Sequence, residues 1–155
     1  FDRRQAVQIA AAAGPAVVIG RLAGGWLVDR FWAPAVAFVI LCLPAISLLV
    51  LAHGDPSLTT VTAAVVLIGF AAGVEYDLLS FLVARYFRFN DYGKIYGGLF
   101  GFFAVGSGVG PLIFAAAYDR YGNYGPALTV AAVVLLMACS SLLFLGRYGS
   151  IERAT

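Results

Sequence analysis

Charge is scarce in this chain. Asp, Glu, Lys and Arg together make up 12% of its 155 residues, about half the share of an ordinary soluble domain. Histidine is reduced to His53, and cysteine to Cys42 and Cys139. Each shortage closes off a class of function. One histidine in a polar break supplies neither a metal cluster nor a nucleophile–base set. Both cysteines fall inside apolar runs and read as small packed side chains, without disulfide or metal spacing. The glycine-rich stretches also lie inside apolar runs, where a phosphate loop could not meet a nucleotide. No enzymatic chemistry, no metal and no cofactor are therefore expected. A net charge of +2, scattered along the chain, is too weak for a nucleic-acid footprint.

Apolar sequence is what the chain does have, with 62% hydrophobic residues. A soluble domain of this size could not hide that much apolar surface from water. A helix needs about 20 apolar residues to cross the hydrocarbon core, and five runs are long enough: 5–28, 33–52, 61–85, 95–118 and 126–145. The breaks carry turn chemistry at Asp29-Arg30, at His53-Gly54-Asp55-Pro56, at 88–94 and at Tyr121-Gly122-Asn123. Pro34 and Pro126 stand where a first helical turn tolerates a missing N–H. The expected fold class is all-α, a polytopic membrane bundle of five transmembrane helices with short connections, surrounded by lipid bilayer.

Lys and Arg outside the runs set the expected orientation. One side collects Arg30, Arg85, Arg88, Lys94, Arg147 and Arg153; the other has Arg3, Arg4 and Arg120. The richer side is expected to be cytoplasmic, with the C-terminus on it, and the expected location is a bacterial inner (plasma) membrane. Five spans starting outside make an awkward plan for a complete protein, and the chain opens on Phe1 rather than Met. A fragment of a longer chain is the expectation.

An internal repeat points the same way. Gly20-Arg21-Leu22 leads to Asp29-Arg30-Phe31, and 90 residues on, by the numbering, Gly110-Pro111-Leu112 leads to Asp119-Arg120-Tyr121. The first and fourth runs cross in opposite directions, so the repeat is inverted in topology, as in many secondary transporters. The plainer alternative is that Asp-Arg simply ends many membrane helices. Glycines four apart recur as Gly20/Gly24, Gly69/Gly73 and Gly93/Gly97/Gly101. That spacing lets another helix backbone approach closely. Pro15, Pro44 and Pro111 lie inside runs and are expected to bend them or free carbonyls.

Gly25-Trp-Leu-Val-Asp29-Arg30-Phe31 resembles the G-x-x-x-D-R loop signature of the major facilitator superfamily, as found between its eighth and ninth helices. Val74-Glu75-Tyr76-Asp77 to Arg85-Tyr86-Phe87, then Tyr92-Gly93-Lys94-Ile95-Tyr96-Gly97, resemble the tenth and eleventh helices of its oxalate/formate antiporter and monocarboxylate transporter branches. Gly106-x-Gly108-x-Gly110-Pro111 and Tyr118-Asp119-Arg120-Tyr121-Gly122 resemble the rest of the eleventh. The resemblance implies that residues 1–155 are a partial major facilitator domain, helices eight to twelve of twelve, whose partner is the missing N-terminal half. It implies a secondary active transporter that moves a small organic anion, a carboxylate, by alternating access, driven by a proton gradient or by exchange. The alternative is a five-helix structural or interaction protein, or a truncated product, without transport. In the family the carboxylate matching Asp29 is held against a helix N-terminus across the interface between halves; otherwise Asp29 caps a turn. Gly25, Arg30, Gly106, Gly110, Pro111, Asp119 and Arg120 belong to the same conformational motifs.

Three ionisable residues fall inside the runs: Arg21, Glu75 and Asp77. A charge at mid-bilayer depth is costly and marks a functional position by default. The resemblance implies a substrate-facing arginine at Arg21, and a guanidinium can grip a carboxylate with two parallel hydrogen bonds. Snorkelling to the interface or pairing with a neighbouring acid is the alternative. Glu75, near mid-span, fits a proton carrier or a partner for Arg21. Asp77 lies about 200° round the helix from it, so one acid can face a cavity while the other pairs with a neighbour. Glu75 is the expected cavity group. Tyr76, Tyr96, Phe100, Phe102 and Phe103 could line an apolar cavity or meet lipid. Some oxalate carriers place a second cation in the middle of the eleventh helix. Gly, Phe, Ala and Ser stand there in this chain, which counts against a dicarboxylate.

Overall fold

The computed structural model describes residues 2–54 and 57–146. Arg147 and Arg153, used for orientation, and the Asp55-Pro56 turn lie outside the described residues. Five α-helices follow one another: α1 Arg3–Arg30, α2 Ala33–His53, α3 Leu58–Tyr86, α4 Phe89–Tyr121 and α5 Gly125–Leu142. All five are long and apolar enough to cross a membrane, and no strand occurs among the described residues.

The helix ends follow from local chemistry. Asp2 caps α1 in a reciprocal box: its carboxylate accepts from the Arg3 N–H at 2.7 Å, and its own N–H donates to Gln5 Oε1 at 2.9 Å. Ser57 caps α3 by accepting from the Thr60 N–H at 3.1 Å. Proline opens α2 and α5 at their first turns. Gly122 ends α4 with φ of 71°, a left-handed geometry that side chains resist, and its N–H donates to the Tyr118 carbonyl at 2.8 Å. Pro15, Pro44 and Pro111 all lie inside helices that continue through them.

Two of the expected breaks are corrected. Residues 89–94 are the first turns of α4, not a loop. At about 1.5 Å per residue the 33 residues of α4 reach about 50 Å, well beyond a hydrocarbon core of about 30 Å. Its polar start is helix outside the apolar run, which hydropathy does not register. Asp29 and Arg30 are likewise helical, and the break falls at Phe31-Trp32.

Packing does not follow chain order. Helices α1 and α3 run parallel and interlock most closely, Gly20 against the Phe70 backbone and Gly73 against the Val17 carbonyl. A Cβ at either position would collide with backbone of the facing helix, so glycine is what lets the axes approach. Helix α2 packs antiparallel on α3 and α5, burying Ala33, Val36, Ala37 and Ile40 against Ala71, Val74 and Leu78. The Tyr86 hydroxyl donates to the Gly146 carbonyl at 2.6 Å and ties the end of α3 to the chain beyond α5. Helix α4 stands at the margin and buries none of its residues.

Candidate functional site

The α1–α3 seam positions two of the three embedded charges. Arg21 follows Gly20 on α1, and Asp77 lies one turn beyond Gly73 on α3. With the helices parallel and closely approached, Arg21 Nε stands 3.6 Å from Asp77 Oδ2. The partner of Arg21 is thus Asp77 rather than Glu75. The side chains are 57% and 49% exposed, so the pair lies on the open edge of the seam and is too long for a hydrogen bond. The rest of the guanidinium fork has no partner among the described residues.

Glu75 occupies another side of α3, about 200° round the helix from Asp77, and is exposed. Its carboxylate has no ion-pair or hydrogen-bond partner among the described residues. Tyr76 leaves α3 between the two acids and meets Phe103 of α4 edge-on, with centroids 5.3 Å apart. Helices α1 and α4 do not touch, so the Arg21–Asp77 pair and the Tyr76–Phe103 contact belong to different seams of α3. This arrangement can hold an anion in place of Asp77: a charged, forked donor stands half exposed with one loose carboxylate beside it.

The motif residues lie elsewhere. Gly25 meets nothing within contact distance of where a side chain would begin. Asp29 is exposed and lines an open cleft of about 800 Å³ together with Arg30, Trp32, Phe81 and Arg85. Arg30 stacks over Trp26 of its own helix, 4.3 Å from the ring centroid, and Arg85 over Phe81 at 5.0 Å. Gly106, Gly110 and Pro111 lie on the open margin of α4. Asp119 is exposed at the end of that helix, where Arg120 stands 5.7 Å from the Tyr121 ring. Because α1 and α4 run in opposite directions, the two Asp-Arg pairs occupy opposite ends of the bundle. Tyr92 extends the aromatic row of Tyr96, Phe100 and Phe103. Its spacing of four from Tyr96 was the signal in the sequence that could have found it.

The model of the Major Facilitator Superfamily matches residues 3–154. The chain belongs to the Major Facilitator Superfamily and is an integral, multi-pass membrane transporter of that type. No curated protein matches it, and neither does any solved structure.

Proposed function

We propose that the chain forms the C-terminal half of a secondary transporter that moves a small organic anion, a carboxylate, by alternating access. The observation that carries this reading is Arg21: a permanently charged fork, half exposed inside a membrane helix, with one loose carboxylate neighbour at 3.6 Å. A substrate carboxylate can take both arms of that fork. Asp77 is then the resident counter-ion, released when substrate binds and free to take up a proton, which gives proton-coupled transport or exchange. Tyr76 stands next to Asp77 and contributes the near wall of the binding site. Glu75, on its separate side of α3, serves as a second protonatable group rather than an anion contact. Asp29 and Arg30, and Asp119 and Arg120, mark the two ends at which this half meets an N-terminal half in alternate states.

The test is uptake of radiolabelled acetate, lactate and pyruvate by the full-length protein in proteoliposomes, against protein-free liposomes. Wild type is expected to exceed background for at least one. Arg21→Lys, present in equal amount, is expected to fall about tenfold or more, as when a charge-assisted bidentate contact is lost. Unchanged uptake by Arg21→Lys removes Arg21 from the site.

A further inference from the structure

The ends of α1 and α3 carry a second pair of cations. Arg30 is the last residue of α1 and Arg85 the next to last of α3. These helices have 28 and 29 residues, about 42 and 44 Å at about 1.5 Å per residue. Both outreach a hydrocarbon core of about 30 Å, which puts their ends at headgroup level. Arg30 and Arg85 stand nine and eight residues past the Arg21–Asp77 contact by the numbering, about 12 to 13 Å along the helices. They belong to a separate place in the fold.

The open cleft of about 800 Å³ joins them. Its wall draws on the end of α1, the turn into α2, the last turns of α3 and the chain after α5. The Tyr86 hydroxyl, bonded to the Gly146 carbonyl, fastens the third of these to the fourth, so tertiary structure builds the wall. Each guanidinium lies over a ring, Arg30 over Trp26 and Arg85 over Phe81. Stacking steadies the cation, and its five N–H donors can serve more than one acceptor. Trp32, also in the wall, has a buried indole Nε1 with no hydrogen-bond partner among the described residues. Asp29 is the single acid among the lining residues. The wall is rich in donors, poor in acceptors and carries excess positive charge.

Its surroundings favour a ligand with an apolar tail. Val28, Phe81, Leu143 and Leu145 make a hydrocarbon side to the cleft. Trp32 and Tyr86 are of the ring types that collect at the membrane–water interface, and Phe31 and Phe89 near them are exposed, Phe89 at 93%. A molecule that brings phosphate to this depth and hydrocarbon beside it is a phospholipid. Basic pockets between membrane helices take such headgroups, and an arginine can hold a phosphate through two parallel hydrogen bonds. Two arginines against one acid suit a headgroup without an ammonium of its own.

We propose that this cleft binds an anionic phospholipid, its phosphate on Arg30 and Arg85 and an acyl chain along Phe81 and Leu143. The site is independent of the carboxylate reading of Arg21.

The test is native mass spectrometry of the purified full-length protein in detergent, titrated with phosphatidylglycerol and phosphatidylcholine, with inorganic phosphate as competitor. Phosphatidylglycerol is expected to bind about fivefold more tightly than phosphatidylcholine, the effect of about one excess charge. Inorganic phosphate at equal concentration is expected not to displace it. Arg85→Gln is expected to weaken phosphatidylglycerol about fivefold and to remove the preference. Arg30→Gln is expected to do the same from another helix, which guards against a folding defect at one position, and Arg85→Lys to keep most of the preference. Arg4→Gln, at the opposite end of α1, is expected to change nothing. Equal affinity for the two lipids, or a preference that survives both Arg30→Gln and Arg85→Gln, overturns the proposal. Displacement by inorganic phosphate overturns the lipid as the source of the phosphate, and an Arg4→Gln loss as large as that of Arg85→Gln overturns the cleft as the site.

Discussion

Gly73→Ala drives a methyl group into the backbone of the facing helix. A Cβ at Gly73 would overlap the Val17 carbonyl oxygen, with the carbonyl carbon at 2.9 Å and the Arg21 nitrogen at 3.1 Å. All three are main-chain atoms of α1, so none can rotate away and the helices must part. Restoring ordinary contact to the carbonyl carbon alone takes about half an ångström, and a gap of that size already forfeits about a quarter or more of the attraction between facing atoms. Overpacking of a well-fitted interface costs about 1–3 kcal/mol, and Gly73 belongs at the upper end because the obstacle is backbone. The same separation lengthens the Arg21–Asp77 contact, which starts at 3.6 Å. Two comparisons calibrate the effect. Gly69→Ala meets the Ala13 carbonyl oxygen at 3.0 Å and is expected to cost less, whereas Gly14→Ala meets nothing within 4 Å. An exposed Gly14→Ala gains helix propensity of about 0.5–1 kcal/mol instead. Thermal unfolding of the full-length protein in detergent reads all three. Gly73→Ala as stable as wild type, or Gly14→Ala as damaging as Gly73→Ala, refutes the parallel α1–α3 seam.

Asp77→Asn is expected to free Arg21, tighten anion binding several-fold and remove the proton dependence of uptake, while Glu75→Gln keeps it. Binding at two pH values together with gradient-driven uptake checks this, and the reverse pattern returns the coupling role to Glu75. Tyr86→Phe deletes the 2.6 Å hydrogen bond to the Gly146 carbonyl and is expected to cost about 0.5–1.5 kcal/mol of stability, seen in the same unfolding assay. Gly122→Ala places a side chain at φ of 71° and is expected to cost about 1–2 kcal/mol, whereas stability equal to wild type would mean the α4 end tolerates a different cap.

The apolar runs made the five helices legible, because length and hydropathy are properties of single segments. Where the helices end was less legible. The start of α4 is polar yet helical, and hydropathy marks the part of a helix that meets lipid, not the helix itself. The glycine pattern shows a second limit. Gly20, Gly24, Gly69 and Gly73 pack α1 on α3, while Gly93, Gly97 and Gly101 have nothing near them; the spacing is the same, and only a facing helix distinguishes the two sets. The choice between Glu75 and Asp77 was open for a similar reason. Helix geometry put them on different sides, but the side that meets Arg21 depends on the parallel docking of α1 and α3, which no local pattern encodes. The aromatic row of α4 was half visible, since Tyr96, Phe100 and Phe103 fall in one apolar run, while Tyr92 sits in the polar turns before it.

The central claim is that an anion replaces Asp77 on Arg21, and ligand-induced stabilisation tests it without a transport assay. A ligand at 100 times its Kd stabilises the folded protein by about 2.7 kcal/mol. Whichever of acetate, lactate and pyruvate is taken up best is expected to raise the unfolding temperature of wild type and of Asp77→Asn, and to leave Arg21→Lys almost unmoved. An equal shift in Arg21→Lys and wild type would mean that the anion binds elsewhere.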